Sequence, residues 1–388
     1  MKLRYLPALL GFTAVYGGLS AYVGWNGWLY LSQLTGWSSS FVYAIFIAIL
    51  ALGYVLGRAG QSTPLHWVAE PLKLLGSYWL AVLQYGILLL PLADLIGLLL
   101  IWGGMPVRSA ILVVGSCIAA IALAILLAGS RNAWLPVIRE YKVQIPKSAG
   151  ARSSLTIAMA SDLHLGTVIG NRQLDRLIRQ IKRIKPDIIM LPGDLLDDDL
   201  APFLRKNMAM KLGQLQAPLG VYAVTGNHEY IGGKVPEFAA QLDAIGIRLL
   251  MDEAAVIDNS FIVIGRKDRA AGSSGPGGRK SIDELIRPLD QSLPLIMLDH
   301  QPTDLASAEE NGIDLSLSGH THLGQMFPNN LITRRAFPLD WGYKKRGPLH
   351  AIVSSGFGFW GPPIRIGSRS EVLRIDIQFN TGAAQGSS

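Results

Sequence analysis

Before residue 130 the chain is dominated by four long apolar runs, approximately Pro7 to Tyr30, Phe41 to Leu56, Leu74 to Trp102 and Ala110 to Ala128, with few charges between residues 5 and 130. A helix crossing a bilayer needs about 20 apolar residues. Each run is therefore read as a membrane-spanning helix, the second slightly short and the third long. Trp25, Trp28, Trp37, Trp79 and Trp102 lie in or near the ends of the runs, where aromatic rings anchor at headgroup level. A cleaved signal peptide accounts at most for the first run, which is too long and is followed by three more. Charge, Pro and Gly return together in "AGSRNAWLPVIREYKVQIPKSAGARSS", residues 128 to 154, so residues 131–154 are expected to be a linker.

Beyond the linker, short β-prone runs alternate with charged amphipathic segments. Leu155 to Ala160, Asp187 to Leu191, Val221 to Val224, Phe261 to Ile264, Leu293 to Leu298, Ile313 to Leu317, His350 to Ser354 and Val372 to Ile377 read as strands. Asn171 to Lys185, Pro202 to Leu215, Val235 to Ile245 and Thr303 to Glu310 read as helices. Such alternation predicts a layered α/β domain with buried strands. It is placed at residues 155–380, with a flexible loop at 270–280 and a disordered tail at 381–388.

Half of the 388 residues are hydrophobic, too many for an ordinary soluble enzyme. The net charge of +7 raises the question of nucleic acid, and its distribution answers it. Residues 1 to 150 carry nine Lys/Arg against Glu70, Asp94 and Glu140, whereas residues 151 to 388 carry 26 against 25. The basic excess thus belongs to the apolar region, as a topology signal and lipid-headgroup contact, and no nucleic-acid partner is expected. Cys117, the single cysteine, leaves no intrachain disulfide and no thiolate metal site.

Potential metal ligands follow the predicted strands. "SDLHLG" supplies Asp162 and His164, "PGDLLDDD" Asp194, "TGNHEY" Asn227 and His228, "LDHQP" His300, and "SGHTH" His320 and His322. Loops at the carboxyl ends of strands are where α/β folds place their sites, so one cluster is expected. Imidazole, carboxylate and an amide oxygen without thiolate suit manganese, iron or zinc better than a structural zinc site or a calcium cage. In an Asp-x-His segment leaving a strand, alternate side chains point to one side and can reach one ion.

These five motifs, in this order over residues 155 to 377, resemble the calcineurin-like metallophosphoesterase family, and the four-span start with the ending "SSGFGFWGPPIRIGS" resembles a membrane-bound bacterial subgroup. The resemblance implies a metallophosphatase domain with a β-sandwich core flanked by helices. It also implies two divalent ions: Asp162, His164 and His322 would hold the first, Asn227, His300 and His320 the second, with Asp194 bridging. His228 resembles the family's non-ligand catalytic histidine, and Asp197 the carboxylate that orients it, although a helix cap within "DDD" competes for that residue. Leu323 departs from the pattern, many relatives having Gly there, which bears on loop shape and substrate fit.

The function implied is a membrane-anchored phosphohydrolase acting on a phosphoester or pyrophosphate bond of a small-molecule, nucleotide-linked or lipid-linked substrate. The rival is a non-catalytic membrane receptor or scaffold binding a phosphorylated ligand, against which the intact His228 argues. Arg334, Arg335, Lys344, Lys345 and Arg346 are candidates for substrate phosphate or anionic headgroups. Asp94, an acid inside the third apolar run, is a functional candidate because an intramembrane charge is expensive. Lys2 and Arg4 before the first span, none in the first loop, Arg58 and Lys73 in the second, only Arg108 in the third, and Arg131, Arg139, Lys142, Lys147 and Arg152 after the fourth span predict a multi-pass plasma-membrane protein with its catalytic domain in the cytoplasm.

Overall fold

The structure is a computed structural model that describes residues 6–272 and 278–380. The expected tail at 381–388, the centre of the loop expected at 270–280, and Lys2 and Arg4 lie outside the described residues. The chain divides into two compact units, the first ending at Ser130 and including Gly361–Ile364, the second formed by Arg131–Trp360 and the segment from Arg365.

The first unit is built from four helices, α1 (Leu6–Thr35), α2 (Ser40–Gly60), α3 (His66–Trp102) and α4 (Val107–Trp134), each long and apolar enough to cross a membrane. Even α2, with 21 residues, reaches about 30 Å at 1.5 Å per residue. Helix α3 runs without interruption through Pro91. Phe12, Phe41, Leu98 and Leu127 stand exposed, as side chains do where the solvent is hydrocarbon. Between such helices small residues permit close packing. A Cβ on Gly57 of α2 would lie 2.4 Å from the Lys73 amide nitrogen of α3. Asp94 accepts a hydrogen bond from the Tyr22 hydroxyl at 2.5 Å, and both line a cavity of about 590 Å³ among α1, α3 and α4.

The second unit contains two six-stranded sheets. The first has the order β1-β12-β2-β3-β4-β5, from β1 (Val137–Ile145), β2 (Ser154–Met159), β3 (Ile188–Pro192), β4 (Val221–Val224), β5 (Ile247–Leu249) and β12 (Glu371–Phe379). The second has the order β10-β11-β9-β8-β7-β6, from β6 (Glu253–Ile257), β7 (Phe261–Gly265), β8 (Leu295–Leu298), β9 (Leu315–Ser318), β10 (Gly342–Arg346) and β11 (Leu349–Val353). Strands β2 to β5 are mutually parallel, as are β7, β8, β9 and β11.

The central strands are buried on both faces, and their two-residue period sorts side chains between layers. Ile157, Met159, Ile188 and Met190 pack with Val263, Ile296, Leu298 and Leu317 in the core between the sheets. Ala158, Ile189 and Leu191 face the other way, toward α5 (Asn171–Ile184), α6 (Leu200–Arg205), α7 (Met208–Leu212) and α9 (Val235–Asp243). On the far side, Ile262, Ile264 and Met297 pack with residues of α10 (Ile282–Ile286) and α11 (Leu305–Glu310). The result is helices, sheet, sheet, helices, a β-sandwich core flanked by helices.

Two expectations are corrected. Residues 137–145, read as linker, form β1, which pairs with β12 in parallel register from Val137↔Glu371 to Ile145↔Phe379. Its charged residues fooled the pattern because β1 is an edge strand with one half-open face. The helix read over 202–215 is two short ones, broken at Asn207 in the left-handed conformation (φ 48°).

Candidate metal centre

The motif residues meet where parallel strands of both sheets end. Asp162 and His164 follow β2, Asp194 follows β3, and Asn227 and His228 open the short helix α8 (Asn227–Gly232) after β4. From the other sheet, His300 follows β8, and His320 and His322 follow β9. Backbone hydrogen bonds tie these loops together. The Asp162 amide donates to Gly193 O and the His164 amide to Asp194 O, both at 3.0 Å. The His320 amide donates to Asp162 Oδ1 and the His228 amide to Asp194 Oδ1, each at 2.9 Å. Glu229, buried, accepts from the amides of Gly226, Leu196 and Asp194 and thereby joins the β3 loop to the β4 loop.

This bracing holds strained backbone. Asp162, His164, Asp194, His320 and His322 all have positive φ, between 47° and 71°, a conformation costing non-glycine residues about 1–3 kcal/mol each and found mainly at functional sites. Leu323, the departure from the family pattern, also sits there at φ 51°, the region glycine enters freely. Gly319 serves by its missing side chain: a Cβ would stand 2.2 Å from Asp162 Oδ2.

Two sets of ligand atoms result, each within 4.8 Å: Asp162, His164 and His322, and Asp194, His300 and His320. A third grouping, His164, Asp194 and His228, puts Asp194 beside both. His164 Nε2 and His322 Nε2 face each other at 3.1 Å. His300 Nε2 lies 3.0 Å from Asp194 Oδ2, 3.2 Å from Asn227 Oδ1 and 3.3 Å from His320 Nδ1. His300 Nδ1 donates to Pro192 O at 2.9 Å, leaving Nε2 to the cluster.

These residues fit a metal pair. Asp162 Oδ2 is buried without a hydrogen-bond partner among the described residues, a costly state for a carboxylate oxygen unless a cation accompanies it. Burial, reinforced by repulsion from His228, lowers His164 to about 4, and burial with His300 nearby lowers His320 to about 4. Burial and the neighbouring His164 and Arg365 hold His322 well below its usual range. Neutral imidazoles are the form that binds metal. Burial raises Asp162 to about 6. It also opposes charge on Asp194 and His300, but their mutual attraction prevails, holding the carboxyl well below and the imidazole well above their usual ranges.

His228 stands apart in its electrostatics. Its Nδ1 donates to Asp198 Oδ1 at 2.6 Å, and its Nε2 faces Asp194 Oδ2 at 4.0 Å. Burial presses the imidazole down, but the Asp198 hydrogen bond and the charges of Asp194, Asp198 and Asp197 lift it to about 9. The carboxylate bonded to His228 is therefore Asp198 and not Asp197, which acts on it as a nearby charge. Asp199 accepts from the Ala201 amide and caps α6.

Three further neighbours escaped sequence reasoning. Arg365, fully buried, places Nη2 3.1 Å from His322 Nδ1 and donates to Gly358 O at 2.6 Å. Phe337 sits edge-on to His320 with ring centroids 5.6 Å apart, and Trp360 lies 6.2 Å from His228. The only advance signal was the run "SSGFGFWGPPIRIGS", which contains both Trp360 and Arg365. Of the basic candidates, Arg334 and Arg335 end helix α12 (Asn330–Ala336), Lys344 and Lys345 lie on β10, and Arg346 is paired with Glu309 at 3.0 Å. His350, on β11, shares a hydrogen bond with the Tyr343 hydroxyl at 2.8 Å.

A two-sheet layered domain with two neighbouring histidine–carboxylate groups at its strand ends defines a class of α/β proteins with a candidate metal centre. Residues 155–324 match the family Calcineurin-like phosphoesterase. An uncharacterized metallophosphoesterase of Aquifex aeolicus is 36% identical over 250 residues, 62% of this chain and 91% of that protein. The transmembrane protein with metallophosphoesterase domain of Bos taurus is 32% identical over 256 residues, 63% of this chain and 57% of that protein. An uncharacterized metallophosphoesterase of Helicobacter pylori is 31% identical over 244 residues, 62% of this chain and 64% of that protein. The chain belongs to the calcineurin-like metallophosphoesterase family. It spans less than two thirds of the length of the bovine and Helicobacter relatives.

Proposed function

We propose that this protein is a membrane-anchored phosphohydrolase with a dinuclear metal centre, cleaving a phosphoester or pyrophosphate bond. The observation that carries the reading is the convergence at the strand ends of Asp162, His164 and His322 with Asp194, His300 and His320, beside a His228 held by Asp198. Asp162, His164 and His322 would hold one ion, Asn227, His300 and His320 the other, and Asp194 both. The donor set favours manganese, with iron or zinc as the other candidates. Bound there, the ions supply Lewis acidity toward the phosphoryl oxygens and an activated water at neutral pH.

The chain's own contribution is a proton and its placement. Asp198 fixes the His228 ring through Nδ1, which directs Nε2 at the cluster. Protonated at neutral pH, Nε2 donates to the departing oxygen. A receptor that only binds a phosphorylated ligand has no need of such a donor. The chain's four apolar helices favour a substrate at or in the membrane, a lipid-linked or nucleotide-linked phosphate among them, and the Lys/Arg distribution favours a cytoplasmic catalytic domain in the plasma membrane.

The test is a screen of the purified full chain with Mn²⁺ against monoesters, diesters, nucleotides and lipid-linked pyrophosphates. Turnover of at least one class, abolished by chelator, is expected. A metal-loaded protein that turns over none of them would favour the receptor reading.

A further inference from the structure

The segments that follow the last metal-centre motif carry exposed apolar side chains. Ile332 is 68% exposed, Trp360 52%, Phe327 50% and Leu331 45%. Scattered apolar residues on a surface need no explanation, but large ones gathered beside a site do. Two aromatic rings of these segments reach the site. Trp360 lies against His228 and Phe337, at the end of α12, against His320. Gln325, three residues after His322, clamps Trp360 from both sides, donating to its carbonyl at 2.9 Å and accepting from its amide at 3.0 Å.

Exposed basic side chains follow the apolar ones along the same segment. Arg334, Arg335, Lys344 and Lys345 are all exposed, whereas the acid of the same segment, Asp340, is half-buried and accepts from the Thr333 hydroxyl at 2.9 Å. Exposed apolar groups followed by charges of one sign are the chemistry of a segment that sits in a lipid–water interface, its apolar groups below the headgroups and its cations among anionic ones. A water-soluble protein partner would fit the apolar part but gains nothing from the positive charges unless it is acidic throughout. Four helices of the chain are long and apolar enough to cross a membrane.

We propose that Phe327, Leu331, Ile332 and Trp360, with Arg334, Arg335, Lys344 and Lys345, form an interfacial docking surface that seats the mouth of the metal centre on an anionic lipid bilayer. With seven residues, α12 is far too short to span; it dips only into the headgroup region. This goes beyond the phosphohydrolase reading and does not depend on turnover.

The experiment uses the full chain with Cys117→Ser and Ile332→Cys, labelled with an environment-sensitive fluorophore, in nanodiscs of phosphatidylcholine alone or mixed with phosphatidylglycerol. A second sample carries the label at Met210→Cys, a site on α7 that is 76% exposed. The Ile332 label is expected to shift to the blue and lose most of its emission to brominated lipid chains, more in the anionic discs than in the neutral ones, while the Met210 label does neither. Leu331→Glu in the labelled chain should diminish the quenching; should that variant misfold, the parent measurement still decides. An Ile332 label that stays water-like and unquenched in anionic discs overturns the proposal and leaves the patch to a protein partner. Equal quenching at Met210 overturns it as well. Neither readout needs substrate, so a failed docking surface and a failed phosphohydrolase are told apart.

Discussion

Gly57 and Gly319 are both places where a missing side chain lets two elements touch, and they show how differently the two units use close contact. At Gly57 the space is filled by the backbone of α3, near Lys73 and Ala69, so the absent Cβ serves helix packing alone. At Gly319 the space is filled by the carboxylate of Asp162, so the absent Cβ admits a buried charge. The helices keep polar groups few, Tyr22 and Asp94 being bonded to each other. The layered domain gathers polar groups at the strand ends and leaves some, such as Asp162 Oδ2, without a hydrogen-bond partner among the described residues. Packing in the first unit should therefore govern stability only, and packing at the strand ends should govern metal content as well.

The largest effect is expected where both ligand sets depend on one residue. Asp194→Ala should lose nearly all bound metal, measured by elemental analysis, and its turnover should fall to background. Loss of only half the metal would show that Asp194 serves one set. Next come the two glycines. Gly319→Ala must move Asp162 or its loop, and should cost about 1–3 kcal/mol of stability as overpacking does, together with a clear drop in metal content. Gly57→Leu should lower thermal stability by a similar amount yet keep the metal content of the parent; equal metal loss in both variants would erase the contrast. A smaller effect separates neighbouring acids. Asp198→Asn should reduce kcat by about tenfold, since it weakens a charge-assisted bond worth about 1.5–3 kcal/mol, and Asp197→Asn should change it less. The reverse order would restore Asp197 as the orienting carboxylate.

That last pair shows where sequence reasoning reached its limit. The convergence of the candidate ligands was legible because strand-end placement and alternate spacing constrain which side chains can meet, and the structure brings the seven together at the strand ends. Nothing in "DDD" distinguishes Asp197 from Asp198: the choice is made by a left-handed turn at Asp198 (φ 56°), which pattern and propensity do not encode. Strand β1 was hidden for a different reason. An edge strand with charged outward residues has the composition of a linker, and only its partner β12, more than 200 residues later, reveals it. Arg365 was invisible because its contacts run to the backbone of Gly356 and Gly358 and to His322, none of which leaves a spacing signature. The buried strands, by contrast, were found nearly to the residue, since burial on both faces demands an apolar run.

The central claim is that the strand-end cluster holds metal through its ligands and performs chemistry through His228, and one measurement separates these roles. Metal content and turnover are determined side by side for the full chain and for His228→Ala, each loaded with Mn²⁺. The account predicts two ions per chain in both proteins and a kcat lower by about 10²-fold or more in His228→Ala, the range expected for loss of a positioned proton donor. An unchanged kcat in fully loaded His228→Ala would contradict it.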